Sequence, residues 1–322
     1  MNRWRNPGIW LTLLVVLLVG LFPIINNNAY NREVIFTILL NVVLASSLNI
    51  ILGYTGYVSF GHVVFYGLGG YIGLYLMTVL GTSLWVAIPA GGLAAGLLAF
   101  LLGKAILRLR GAYFALATIG VNEAMRAFVN NFGPFGGPIG LSLNFNVYNN
   151  YGGATQALRL TYFLLIGLTL AVILMSYIIK TSKFGLGLLA IREDEDAAEV
   201  MGVVTPNAKT WAYVFSAIFP GMVGVLVFFK NGIIEPGLAF RLHFSIEFLV
   251  MVMLGGFGTV TGPIIGAAGY QGLRGFLVTN ELFKDIQLSV AGALLLVIIL
   301  FIPAGAVGWL RQRFAILRKV LP

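Results

Sequence analysis

The sequence predicts an all-α integral membrane protein of about ten transmembrane helices, nine being the alternative count, with glycine-rich broken or re-entrant segments and a short cytoplasmic helix. Three observations carry this prediction. Apolar residues make up 59% of the chain and charged residues only 10%, whereas a soluble domain carries about 25% charged residues. The apolar runs are continuous and close to the ~20 residues a helix needs to cross a hydrocarbon core, while a β-barrel would alternate over segments of about ten. The basic residues behind the net charge of +9 sit at the ends of those runs, which is the pattern of cytoplasmic loops rather than of a nucleic-acid surface. No nucleic-acid partner is therefore expected. With no cysteine and only His62 and His243, disulfides, thiolate chemistry and a histidine-rich metal site are not expected either.

The first span is expected at residues 9–25, and Arg3 and Arg5 ahead of it place the N-terminus in the cytoplasm. A cleaved signal peptide would need a small-x-small site before Asn26, and none is present. The second span covers 34–52. A glycine-rich stretch at 53–73 follows, polar at first and then the third span. Glycine with Thr and Ser at membrane depth implies a broken helix, a re-entrant turn or close helix packing. The fourth span, 84–103, carries Gly92 and Gly96 in a small-xxx-small pair and ends in Lys104, Arg108 and Arg110. The fifth, 112–129, is amphipathic and holds Asn122, Glu123 and Arg126. A loop rich in Asn, Gly and Tyr fills 130–159 and suits an external face.

The sixth and seventh spans are expected at 160–179 and 210–229, the seventh interrupted by Pro220 and Gly221. Residues 244–279 read as one long span or as two short ones, 244–257 and 260–278; two passes return the basic tail with Arg311, Arg313, Arg318 and Lys319 to the cytoplasm. The last span is 286–302, ended by Pro303. The chain reads as one polytopic unit, 1–322, containing a cytoplasmic loop at 180–209.

That loop is the longest interior run in which charge displaces hydrophobicity, and it gathers Glu193, Asp194, Glu195, Asp196 and Glu199. Thr181 or Ser182 can cap a helix, and residues 192–201 are good helix formers. On one continuous helix, Ile191, Ala198 and Gly202 would share a face, with Arg192, Asp196 and Glu199 on a neighbouring one. Such a helix could dock into a groove on another protein; a solvated connecting loop is the plainer reading.

Asp196-Ala197-Ala198-x-x-x-Gly202 resembles the EAA-x-x-x-G signature of ATP-binding-cassette (ABC) importer permeases, with Asp in place of Glu. The hydrophobic-Pro part of that signature, here Ile218-Phe219-Pro220, lies farther on than usual. AIREDEDAAEVMGV is closer still to the LivM-type branched-chain and neutral amino-acid permease family. Three further blocks, LGYTGYVSFGHVVFYGLGGY, RLRGAYFALATIGVNEAMR and VMLGGFGTVTGPIIGAA, resemble that family in the same order over roughly 41–302.

The resemblance implies a permease subunit in the prokaryotic inner membrane; the basic residues at both ends place both termini in the cytoplasm. Its partners would be a second homologous permease, two cytoplasmic ATPase subunits, an external substrate-binding protein and membrane lipid. The cytoplasmic helix would then be the coupling helix, with Arg192, Glu193, Glu195, Asp196, Ala197, Ala198, Glu199 and Gly202 at the ATPase contact. The chain has no G-x-x-x-x-G-K-[ST] loop, so ATP and Mg²⁺ are expected on the partners and no catalytic residue is expected here.

Asn49, Ser59, His62, Asn122, Glu123 and Arg126 form the polar set at membrane depth. They are candidates for a translocation path, since a zwitterion needs opposed charges; a local Glu123–Arg126 pair that lets an amphipathic helix pack is the structural alternative. Gly69-x-x-x-Gly73 and Gly262-x-x-x-Gly266 suit close helix packing. Glu235, Arg241, His243 and Glu247 are candidates for docking the external protein. Competing functions are a urea or short-amide importer of the same family, a stand-alone secondary transporter using Glu123 and Arg126 as a relay, and a membrane enzyme, for which no nucleophile–base constellation is present.

Overall fold

The computed structural model describes residues 7–25, 29–279 and 305–313, with isolated positions between 289 and 296. The expected span at 286–302 therefore lies almost wholly outside the described residues. The long helices are α1 (Pro7–Ile25), α2 (Ala29–Thr55), α3 (Val63–Thr78), α4 (Leu84–Ile106), α5 (Ala112–Asn131), α6 (Ala154–Thr181) and α9 (Thr205–Asn231). Two short helices, α7 (Lys183–Glu193) and α8 (Glu195–Val200), join α6 to α9. The chain continues through α10 (Pro236–Ala239), α11 (Leu242–Gly255) and α12 (Gly262–Thr279), and α13 (Gly305–Arg313) is the last described element. Among the described residues, five helical stretches are long and apolar enough to cross a membrane: α2, α4, α6, α9, and α10 with α11.

Residues 244–279 thus form two helices, α11 and α12, rather than one long span. Two stretches of non-helical backbone lie inside the fold, residues 56–62 between α2 and α3 and residues 256–261 between α11 and α12. Of the helices flanking them, α3 and α11 are short, with 16 and 14 residues. At 1.5 Å per residue, α11 is about 21 Å long, well under the ~30 Å of a hydrocarbon core.

The core is built around α9, which packs against α2, α3 and α4. Its approach to α3 is backbone to backbone. A Cβ on Gly224 of α9 would collide with the Tyr66 carbonyl oxygen, and a Cβ on Gly69 of α3 would collide with the Gly221 backbone. Glycine is required at both positions because only hydrogen fits between the helices. Leu48, Ile50, Phe65, Tyr71, Tyr213 and Phe229 fill the surrounding core.

The segment after α5 is more ordered than a connecting loop. It contains three 3₁₀ turns and a two-residue strand β1 (Leu141–Ser142) that pairs antiparallel with β2 (Ile233–Ile234), Leu141 facing Ile234. Tyr148 Oη donates to the Phe229 carbonyl at 2.7 Å, and Tyr151 Oη accepts from the Leu84 N–H at 2.6 Å. These bonds close the end of the bundle opposite α7 and α8.

Candidate functional site

Residues 191–202 do not form the single short helix on which Ile191, Ala198 and Gly202 would share a face. Ser182 caps α7, accepting from the Gly185 N–H at 3.0 Å, but α7 stops at Glu193. Asp194 adopts extended backbone, and its carboxylate accepts from the N–H groups of Asp196 and Ala197, both at 3.0 Å. A short carboxylate satisfies orphan N–H groups best as an N-cap, so Asp194 ends one helix and starts the next.

The break changes what the signature residues do. Arg192 turns inward, donating to the Gly53 carbonyl at 3.0 Å and to Glu193 at 2.8 Å, and its guanidinium lies over the Phe257 ring. It therefore does not share a face with Asp196 and Glu199. Ala198 is buried within the chain, while Gly202 stands in open space at φ +89°. Glu199 accepts from the Thr205 hydroxyl. The acidic segment is folded back on its own bundle.

Its anchor is a buried ion pair. Lys209, at the start of α9, is 3% exposed and places its ammonium 2.5 Å from Glu195 Oε1. The same Nζ donates to Tyr57 Oη and to the Leu107 carbonyl, each at 2.8 Å. All three ammonium protons thus have acceptors. Tyr57 Oη donates to Glu195 Oε2 at 2.7 Å, closing a triangle. Arg110 adds an outer contact, 3.6 Å from Glu195 and bidentate to Asp196 at 2.8 and 3.3 Å. One cluster thereby joins α8, the start of α9, the α4–α5 turn and the non-helical stretch 56–62.

Hydrogen bonding and charge from Arg110 hold the Asp196 carboxyl below its usual range. Burial works against charge on Glu195, but hydrogen bonds from Lys209 and Tyr57 and the nearby cations outweigh it, so this carboxyl is lowered too. Groups depressed in the folded state contribute stability above their unfolded values, near pH 4, and lose it as pH falls through the lowered ones. Amide protection over 194–204, corrected for intrinsic exchange, is expected to be constant from about pH 5 to 7 and to fall below about pH 4. Undiminished protection in hydrogen exchange at about pH 2 would show that these carboxylates do not hold α8.

The six polar candidates at membrane depth separate into distinct places. Ser59 and His62 are buried in the stretch 56–62, with His62 Nε2 3.5 Å from Ser47 Oγ. That stretch is clamped by hydrogen bonds from the Phe60 N–H to Thr118 Oγ1 and from the Val63 N–H to Ser245 Oγ, both at 3.1 Å. Gly61 presses directly against the Thr118 carbonyl of α5. Asn49 holds the second non-helical stretch, donating to the Thr259 carbonyl and accepting from the Gly258 N–H, each at 2.9 Å. Asn122 donates to the Phe240 carbonyl at 3.0 Å, while its Oδ1 is buried without a hydrogen-bond partner among the described residues.

Glu123 and Arg126 do not join them. They form a 3.4 Å pair on the open face of α5, each side chain about half exposed, and such pairs contribute at most ~1 kcal/mol. The buried stripe of α5 is Phe114, Thr118 and Asn122; its open face carries Tyr113, Leu116, Gly120 and Glu123.

Of the residues expected to dock an external protein, Glu235 and Arg241 are exposed. Glu247 is buried between α11 and α12, 3.0 Å from His243 Nε2 and 3.4 Å from Arg274, so it cannot serve as a docking contact. Sequence reasoning missed Tyr57, Arg110 and Lys209, whose partners are far away in the chain. It also missed the exposed apolar residues Val200, Met201 and Val204 at and just after the end of α8. The pair Val200-Met201 inside a charged segment was the available signal.

The family described as branched-chain amino acid transport system / permease component matches residues 31–302. The chain belongs to that family. It is 29% identical over 298 residues to the high-affinity branched-chain amino acid transport system permease protein LivM of Salmonella typhimurium and to LivM of Escherichia coli K12, covering 84% of this chain and 68% of either relative. It is also 24% identical over 284 residues to LivH of Salmonella typhimurium, covering 82% of this chain and 90% of LivH. No solved structure matches it. This LivM-type permease is therefore a multi-pass membrane protein whose relatives are transport subunits, and the expected resemblance holds along most of the chain.

Proposed function

We propose that this chain is the membrane subunit of an ABC importer for branched-chain or other neutral amino acids. It would pair with a homologous permease, carry two ATPase subunits at the α7–α8 end and receive substrate from an external binding protein at the β1–β2 end. The α7–α8 end and both termini are then cytoplasmic, in a prokaryotic inner membrane. ATP and Mg²⁺ act on the partners.

The observation that carries this reading, beside the family, is the form of α8. It is a short helix held rigidly by buried charge, with Val200 87% and Met201 84% exposed at its tip. Apolar side chains presented this openly outside the hydrocarbon suit a hydrophobic groove on another protein. This revises the contact set: Val200, Met201 and Gly202 point outward, whereas Arg192, Glu195 and Ala198 position the helix from within.

The open face of α5 would meet the second permease, so that Glu123 and Arg126 offer opposed charges to a zwitterion in a path between subunits. Asn49, Ser59, His62 and Asn122 would support the inner wall. A urea or short-amide substrate would use the same architecture without needing both charges, and uptake measured with Glu123→Gln separates the two.

The test of the importer reading is Met201→Glu, which places a charge in the docking groove without touching the buried anchor. Co-purification of the ATPases is expected to fall at least about tenfold while the chain still inserts, as for loss of an interface hot spot. Stoichiometric ATPase recovery with normal uptake would overturn the reading. Ala198→Arg would be a poor substitute, because Ala198 is buried inside this chain and the variant would unseat α8 itself.

A further inference from the structure

The buried triangle Tyr57–Glu195–Lys209 lies between two things that an importer has to connect. On one side is α8, the helix assigned above to the ATPase contact. On the other is the stretch 56–62, which holds the buried Ser59 and His62 and touches α2, α5 and α11. Tyr57 belongs to both. Its hydroxyl donates to Glu195 of α8 at 2.7 Å and accepts from Lys209 of α9 at 2.8 Å, while its backbone is two residues from Ser59. Its ring packs edge-on against Phe114 of α5 at 5.1 Å.

A buried ion pair is weak grounds for stability, because desolvation consumes most of the attraction; its best-attested use is to fix register or to switch. Here the register fixed is that of α8 against an irregular backbone segment. That segment has no helical ladder of its own, so its position is set by what grips it. Its grips include Thr118 on α5, Ser245 on α11, Ser47 on α2 and the Glu195–Lys209 pair. Only the last connects to α8.

We propose that Tyr57 is the positioning residue that makes α8 and residues 56–62 move as one body, with Glu195 and Lys209 as its clamp. Displacement of α8 by closing ATPases then reaches Ser59, His62 and, through Gly61 and Thr118, the inner side of α5. This rests on the importer reading of α8. Without the hydroxyl the ring still packs, but α8 can shift while the stretch stays behind.

The experiment uses the complete importer in proteoliposomes, with permease pair, ATPases and binding protein, and measures ATP hydrolysis and uptake together. Tyr57→Phe is expected to assemble normally and keep basal hydrolysis, while uptake per ATP falls about tenfold, the scale of a typical coupling free energy. Glu195→Gln, which keeps shape but leaves the buried Lys209 without its countercharge, is expected to lower the melting temperature as well, and to lower uptake per ATP of the assembled complex to a similar degree. A merely structural role would lower the amount and melting temperature of the complex and leave the ratio of uptake to hydrolysis intact. An unchanged ratio in both variants, with wild-type complex transporting, overturns this inference alone. A wild-type complex that shows no ATP-driven uptake overturns the importer reading and the inference with it.

Discussion

Gly224→Leu is expected to leave almost no folded protein, the largest effect of any single substitution considered. Gly224 faces the Tyr66 carbonyl and the backbone at Gly70, and its neighbour one turn earlier, Gly221, lies against Gly91 and Ala95 of α4. The obstacle is backbone on a neighbouring helix, so no rotamer change relieves it. Separating α9 from α3 would open the centre of the bundle, where overpacking costs exceed the usual ~1–3 kcal/mol. Gly167→Leu on α6 is the control, because nothing lies within 4 Å of the added carbon. Size-exclusion profiles in mild detergent should show loss of the monodisperse peak for Gly224→Leu and a normal peak for Gly167→Leu. A normal peak for both would mean that α3 and α9 are farther apart than described.

The second large effect is expected from Lys209→Met. Removing the ammonium takes from Glu195 its shortest partner, leaving it Tyr57 and the 3.6 Å Arg110 contact, and leaves the Leu107 carbonyl unpaired; breaking a fully buried pair costs about 3–5 kcal/mol, which is the upper bound here. The double substitution Glu195→Leu with Lys209→Met removes both charges and is expected to recover most of that loss, since apolar replacement of a buried pair is often close to neutral. Thermal unfolding of purified permease reads both. A double variant no more stable than the single one would show that the Leu107 carbonyl or Tyr57, rather than stranded charge, dominates the cost.

The helical layout was largely legible before the structure. Continuous apolar runs marked α1, α2, α4, α6 and α9 to within a few residues, because one periodicity and one length govern any helix that must cross lipid. Residues 244–279 do form two separate helices, α11 and α12. The site was less legible. Asp194 looked like one more acidic helix residue, yet its carboxylate competes with the helix it interrupts. Lys209 looked like a boundary cation, yet at 3% exposed it is the most buried charged residue among those described. Its bond to Tyr57 spans 152 positions, and no local pattern encodes such a contact. Glu123 and Arg126 were correctly placed on an amphipathic helix, but which neighbours that helix had could not be read from spacing alone.

The open face of α5 has a consequence for how the cell makes this protein. The helix is not among those apolar enough to enter a bilayer by composition alone, and each charge at mid-membrane costs about 2.5–3.5 kcal/mol on insertion scales. Its entry must be helped by segments that arrive with it. A copy left without its partner would keep Glu123 and Arg126 turned toward acyl chains. Under the proposed pairing, the polar stripe therefore makes a lone subunit costlier to hold in lipid than an assembled one.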